Sequence, residues 1–248
     1  MKEKEIQTIT IIGQGNVGWH FYNALLSLKR DVVFLSSRGN NEKFLKRDLI
    51  ILAVKDNAIE ESLQNMDNVE GILVHCSGTK PMEVLSKRAK NYGVIYPVYS
   101  LKKDNQLSFS LIPLCIEANS SESLRKIENL FTSLGNKIYF LSSQKRKHLH
   151  ISAIFANNFT NYLYGIAKKQ LEKEDIPFEI LTPIIDQTIE NIEKNNPFDI
   201  QTGPAKRKDY QIMEEHKKLL DENERRIYEI ISKGISSLQE EKEEKEEK

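Results

Sequence analysis

Apolar residues fall in short, regularly spaced runs as far as Leu141: TITIIG, VVFLSS, LIILAV, ILVHCS, VIYPVY, LIPLCIEA and KIYFL. Runs this brief, dominated by Ile, Val and Leu, are the pattern of strands covered on both faces. Between them the spacing becomes helical, in segments starting near Asn16, Asn57 and Lys80 and in the run from Ser121 to Leu134. Such alternation predicts an α/β fold, a Rossmann-type, mostly parallel sheet with helices on both faces.

From Lys145 the periodicity is helical throughout. ISAIFANNFTNYLYGIAKKQLEK is too long for a strand and apolar around much of its circumference, so it reads as a buried helix. Pro177 opens a second helix through ILTPIIDQTIENIEK, the loop NNPFDIQTGPAKRKD follows, and a last helix runs from about Tyr210 into the 230s. The chain is therefore expected to form a Rossmann domain over residues 1–143, an all-helical domain over 144–238 and an acidic tail over 239–248. The tail has no apolar face and is expected to be either a frayed helix end or a solvated, disordered tail.

Thirty-six basic residues offset thirty-six acidic ones. With no net field to draw the chain to nucleic acid or an anionic bilayer, neither is expected as a partner. Cys76 and Cys115, both within apolar runs, provide neither a disulfide framework nor a metal cluster, which points to a reducing cytoplasm and no metal site. MKEKEIQ lacks the apolar core of a signal peptide, and no run approaches the roughly 20 apolar residues of a membrane span.

Chemistry enters with IIGQGNVGWHF, where Gly13, Gly15 and Gly18 satisfy G-x-G-x-x-G between a predicted strand and a predicted helix. In that setting Gly13 allows a tight turn, Gly15 lets backbone approach a pyrophosphate, and Gly18 lets helix and strand pack closely. Asn16 and Val17 complete the turn facing the anion. About 20 residues on, where NAD-binding folds carry an acid for the ribose, the sequence reads Ser36, Ser37, Arg38. Two hydroxyls and a guanidinium suit a 2′-phosphate, so NADP (NADPH) is the expected cofactor; the alternative for Arg38 is an ordinary surface arginine. Val54 and Lys55, after the third strand, are placed along the dinucleotide, and His75, Ser77 and Gly78, after the fourth, near its nicotinamide end.

HCSG at 75–78, YPVYSL at 96–101, HISAIFANNFTNYLY at 150–164 and TGPAKRKD at 202–209 carry a resemblance. The chain resembles the superfamily of 6-phosphogluconate dehydrogenase, pyrroline-5-carboxylate reductase and the deazaflavin-linked NADP reductases. More closely it is similar to the Rossmann-like NADP oxidoreductases whose helical C-terminal domain has no established function. The resemblance implies an NADP-dependent fold whose helical domain closes over the nicotinamide and helps form a homodimer. It implies no particular substrate. In the related β-hydroxyacid dehydrogenases a lysine and an asparagine lie one turn apart on the first long helix after the Rossmann domain. Here that helix carries His150, Asn157, Asn158 and Asn161, with no lysine inside it before Lys168.

Hydride chemistry resides in the cofactor, so the protein must add orientation, a proton donor and exclusion of water. On a continuous α-helix His150, Asn157 and Asn161 share nearly one face, with Asn158 about a quarter turn away. Two accounts of this cluster stand side by side. In one, His150 is the proton donor, Asn158 and Asn157 orient a carbonyl or imine, and Ser77 joins them as a catalytic candidate. In the other, the same helix side chains satisfy buried backbone groups or line a dimer interface. Tyr96 is a candidate for the substrate pocket, with packing as its alternative role. On the resemblance, Arg207 binds an anionic substrate or the cofactor phosphates, the alternative being a solvated basic loop. The expected function is NADP-dependent reduction of a small carbonyl or imine, the alternatives being a dinucleotide-binding sensor without turnover and a deazaflavin:NADP reductase.

Overall fold

All seven apolar runs form strands of one sheet in the computed structural model, which describes residues 5–37, 44–104 and 108–246. They are β1 (Thr8–Ile12), β2 (Asp31–Leu35), β3 (Leu49–Leu52), β4 (Val69–His75), β5 (Ala89–Pro97), β6 (Leu114–Ala118) and β7 (Ile138–Phe140). Their order is β2-β1-β3-β4-β5-β6-β7, parallel except where β6 runs antiparallel to β5. The chain leaves β1 for a neighbour on one side and then returns to pair on the other. That reversal opens a crevice at the carboxyl ends of β1 and β3, where open parallel sheets take ligands.

Alternation along each strand builds a core on either face. Every residue of β3 is buried, Leu49 and Ile51 in one core, Ile50 and Leu52 in the other. Phe21 and Leu25 of α1 (Asn16–Ser27) and Ile127, Leu130 and Phe131 of α3 (Ser121–Thr132) complete the first core. Ile59 and Leu63 of the short α2 (Ile59–Gln64) complete the second. The helix expected from Lys80 is only a 3-10 turn, Met82–Leu85, because too little chain separates Pro81 from the start of β5.

The sheet unit spans Met1–Asn158. It includes α4 (Ser143–Ala153), so the division lies some fifteen residues beyond the expected boundary at 143, α4 being fastened to the sheet by side chains described below. After α4, Ile154–Phe159 is wound as a π-helix.

The second unit, Phe159–Lys248, is helical: α5 (Thr160–Glu172), α6 (Thr182–Lys194), α7 (Tyr210–Leu219) and α8 (Glu222–Glu246). One expectation is corrected here. The single helix expected from Tyr210 breaks at Leu220, which is extended, and Asp221 restarts it by accepting the Glu224 N–H at 3.1 Å. Of the two expectations for the acidic tail, the helix end is the one seen, α8 continuing as far as Glu246. Lys208 reaches Glu243 at 2.7 Å and Lys242 bonds Asp199, tying the solvated helix to the preceding loop. This unit also holds a cavity of about 370 Å³ walled by residues such as Leu163, Ile166, Tyr228 and Ile235. No residue of α5, α6 or α7 is buried.

Candidate active site

The three glycines have separable reasons. Gly13 has φ +114°, and a Cβ there would lie 2.3 Å from the Ala53 carbonyl oxygen, so β1 turns and touches the end of β3 only because no side chain intervenes. A Cβ on Gly18 would lie 2.0 Å from the Gly13 carbonyl oxygen, which is the close approach of α1 to the strand. Around Gly15 the same construction meets nothing within 4 Å. Gly15 is also the N-cap of α1, and it supplies no capping side chain; the first turn contains no acidic residue.

The N–H groups of that first turn, from Asn16, Val17 and Gly18, therefore lack helical partners beneath open space, the electrostatics of an anion seat. A diphosphate fits it. The side chains of Asn16 and Val17 do other work. Asn16 Nδ2 donates to the Leu101 carbonyl at 2.9 Å, and Val17 packs on the core. Val54 packs against the second core, and Lys55 is exposed. Ser36 and Ser37 are exposed just beyond β2; Arg38 lies outside the described residues.

The loop after β4 is built from inside. Ser77 is buried; its hydroxyl donates to Asp56 Oδ2 at 2.7 Å and accepts the N–H groups of Thr79 (3.0 Å) and Lys80 (2.9 Å). Thr79 donates to the same carboxylate oxygen at 2.7 Å. Ser77, expected among the catalytic candidates, thus has its oxygen shared by three partners in shaping the turn. Burial pushes the Cys76 pKa far up, so it stays a neutral thiol at physiological pH.

His75, wholly buried, accepts the Ser77 N–H at Nδ1 (3.1 Å) and faces the Pro81 carbonyl through Nε2 (3.2 Å), which assigns the proton to Nε2. Burial lowers its pKa to about 4, against 6.5 for the unperturbed ring. Between those values the unfolded chain binds a proton that the native chain refuses, so stability falls as pH drops through that window. The expected loss is about 3 kcal/mol once pH 4 is reached. Urea midpoints measured from pH 7 to pH 4 should decline less steeply for His75→Asn than for the parent.

His150 and Tyr96 meet. The Tyr96 hydroxyl lies 3.0 Å from His150 Nδ1, and the rings pack edge to face with centroids 5.9 Å apart. Gly78 makes this possible, since a Cβ on it would lie 2.7 Å from His150 Nδ1. Burial raises the Tyr96 pKa, so the phenol stays protonated at neutral pH and can donate to the imidazole. His150 Nε2 has no hydrogen-bond partner among the described residues. Asn157 and Asn158 lie exposed in the π-helical stretch, whose wider winding shifts them off the face expected of an uninterrupted α-helix. Arg207 is exposed in the helical unit.

Sequence reasoning missed Arg146 and Glu117. The Arg146 side chain is 1% exposed, and its Nη1 donates to Glu117 Oε2 at 2.6 Å. The available signal was a carboxylate inside the apolar run LCIEA, which needs a buried partner. Among the described residues no helix is long and apolar enough to cross a membrane, and no group of three or more His, Cys, Asp or Glu is placed to hold a metal.

The family model described as a domain of unknown function, DUF2520, matches residues 112–235. Among solved structures the chain is similar to a Bacteroides fragilis protein assigned as an NADP oxidoreductase, with 28% identity over 94% of this chain and 98% of that one and a TM-score of 0.82. It shares its fold with a reductive aminase from Aspergillus terreus solved with NADPH4, cyclohexanone and allyl amine (12% identity, 96% and 93% covered, TM-score 0.67). The same holds for an imine reductase from Myxococcus stipitatus in complex with NADP+ (14% identity, 94% and 93% covered, TM-score 0.62). No curated protein matches.

Proposed function

The chain belongs to the DUF2520 family, and on that premise we propose that it is an NADP-dependent oxidoreductase moving a hydride between NADPH and a small carbonyl or imine. The observation that carries the reading is Gly15, a helix N-cap with no side-chain cap, no acid beside it and open space above. The first turn of α1 holds the diphosphate, and Ser36, Ser37 and Arg38 take the 2′-phosphate. When bound, NADPH supplies the hydride. His150 holds its ring against Gly78 and, as its Nε2 gives a proton to the oxygen or nitrogen that gains charge during reduction, takes the Tyr96 hydroxyl proton at Nδ1, which solvent then restores to Tyr96. Asn157 and Asn158 orient that atom and Arg207 holds an anionic end of the substrate.

Titration of NADPH and NADH, followed by nicotinamide fluorescence, tests the cofactor. The parent should prefer NADPH by about tenfold or more, roughly 1.4 kcal/mol, and Arg38→Ala should erase the preference. Equal affinities in the parent would remove the 2′-phosphate part of the reading. The fold shared with the reductive aminase and imine reductase puts ketone–amine pairs and cyclic imines first in a substrate panel, beside ketoacids and deazaflavin. Binding without NADPH oxidation in any well would leave a dinucleotide-binding sensor.

The helical unit is proposed to pair with a second copy. Ile180 precedes α6, and Ile184, Ile189 and Ile192 lie on it, all exposed and at helical spacing. An unpartnered apolar face of this kind favours association. Sedimentation at micromolar concentration should show a dimer, and Ile184→Asp combined with Ile192→Asp should yield monomers; a parent that sediments only as a monomer would end this proposal.

A further inference from the structure

Arg146 has no part in the chemistry proposed above, yet it heads the fully buried side chains in size. An arginine out of water is costly unless its charge and its donors are all matched, and an apolar residue of similar volume commonly serves stability as well. What a guanidinium adds is geometry, five donors in a rigid plane.

Four bonds use that plane. Nε donates to the Ser77 carbonyl (3.1 Å), Nη1 to Glu117 (2.6 Å), and Nη2 to the Lys80 carbonyl (2.6 Å) and to Ser143 Oγ (3.2 Å). Glu117 in turn accepts the Ser143 N–H at 2.8 Å and its hydroxyl at 2.7 Å. Ser77 and Lys80 bracket the loop whose Gly78 touches the His150 ring. Glu117 lies on β6, which pairs with the strand carrying Tyr96, and Ser143 opens the helix that carries His150. His150 follows Arg146 by four residues, hence on the same helical face.

We infer that Arg146 is a positioning residue that fixes loop, strand and helix so that the Tyr96 hydroxyl meets His150 Nδ1. The inference rests on the reading of that pair as the proton-donating centre. A small displacement of any of the three elements would part them.

The test follows the imidazole ¹⁵N resonances of His150 in the full chain, assigned with His150→Gln, with Tyr96→Phe marking an Nδ1 that has lost its hydroxyl. Arg146→Lys keeps a cation for Glu117 but replaces the fork by one ammonium, which cannot span the Ser77 carbonyl, the Lys80 carbonyl and Glu117 together. The neutral pair Arg146→Met/Glu117→Gln leaves no buried charge and serves as the second variant should the first not fold. In both, the Nδ1 resonance is expected at the Tyr96→Phe position. NADPH affinity should stay within about threefold, and kcat on a substrate from the panel should fall ~10–100-fold with KM nearly unchanged. A folded Arg146 variant with the parent resonance overturns the inference. If the resonance moves while His150→Gln turns over normally, Arg146 retains its positioning role and it is the catalytic reading of His150 that falls.

Discussion

Gly13→Ala is expected to cost the fold about 2–5 kcal/mol, enough to unfold a marginal domain, while Gly15→Ala leaves stability nearly untouched and weakens NADPH instead. At Gly13 two penalties add. An L side chain at φ +114° is strained by roughly 1–2 kcal/mol, and its Cβ would lie 2.3 Å from a backbone oxygen, which forces β1 and β3 apart at about 1–3 kcal/mol more. Gly15 has φ −74° and nothing near its missing side chain, so the protein alone has no objection to alanine there. The ligand does, because the added methyl occupies the space through which a diphosphate approaches the first turn of α1. Urea denaturation and NADPH titration of both variants check the pair. Equal losses of stability, or a Gly15→Ala protein that binds NADPH like the parent, would contradict the division of roles.

The second large effect is expected at His150. Removing a general acid typically costs ~10²–10⁴ in rate, so His150→Ala should lose that much in single-turnover hydride transfer while NADPH binds as before. Tyr96→Phe keeps the ring but not the hydroxyl 3.0 Å from Nδ1, and about a tenfold loss is expected from an imidazole no longer held in one orientation. Turnover by His150→Ala within twofold of the parent would assign the proton to another group.

The sheet was legible because burial on both faces leaves a direct trace in composition: LIIL can be little else than a central strand, and it is buried at all four positions. The glycine motif was legible for the same reason that it works, since backbone geometry at Gly13 and Gly18 tolerates no other residue. Elements set by side-chain bonding were harder to read. A serine in an exposed-looking loop gives no sign that its hydroxyl serves three partners, as Ser77 does, and the restart of the last helix hung on the one cap formed by Asp221. Helical periodicity assumes a constant winding angle, so the π-helical stretch at Ile154–Phe159 displaced Asn157 and Asn158 from their expected face. The Arg146–Glu117 pair lies 29 residues apart in sequence, and nothing local in either segment names the other.

Two bonds from α1 to the segment after β5, Asn16 to the Leu101 carbonyl and His20 Nε2 to the Lys102 carbonyl, both 2.9 Å long, splint the helix at its entrance. The seat is thus bonded in place before any guest arrives. A dinucleotide docking there meets a finished surface, and little of its affinity is consumed in freezing a floppy host.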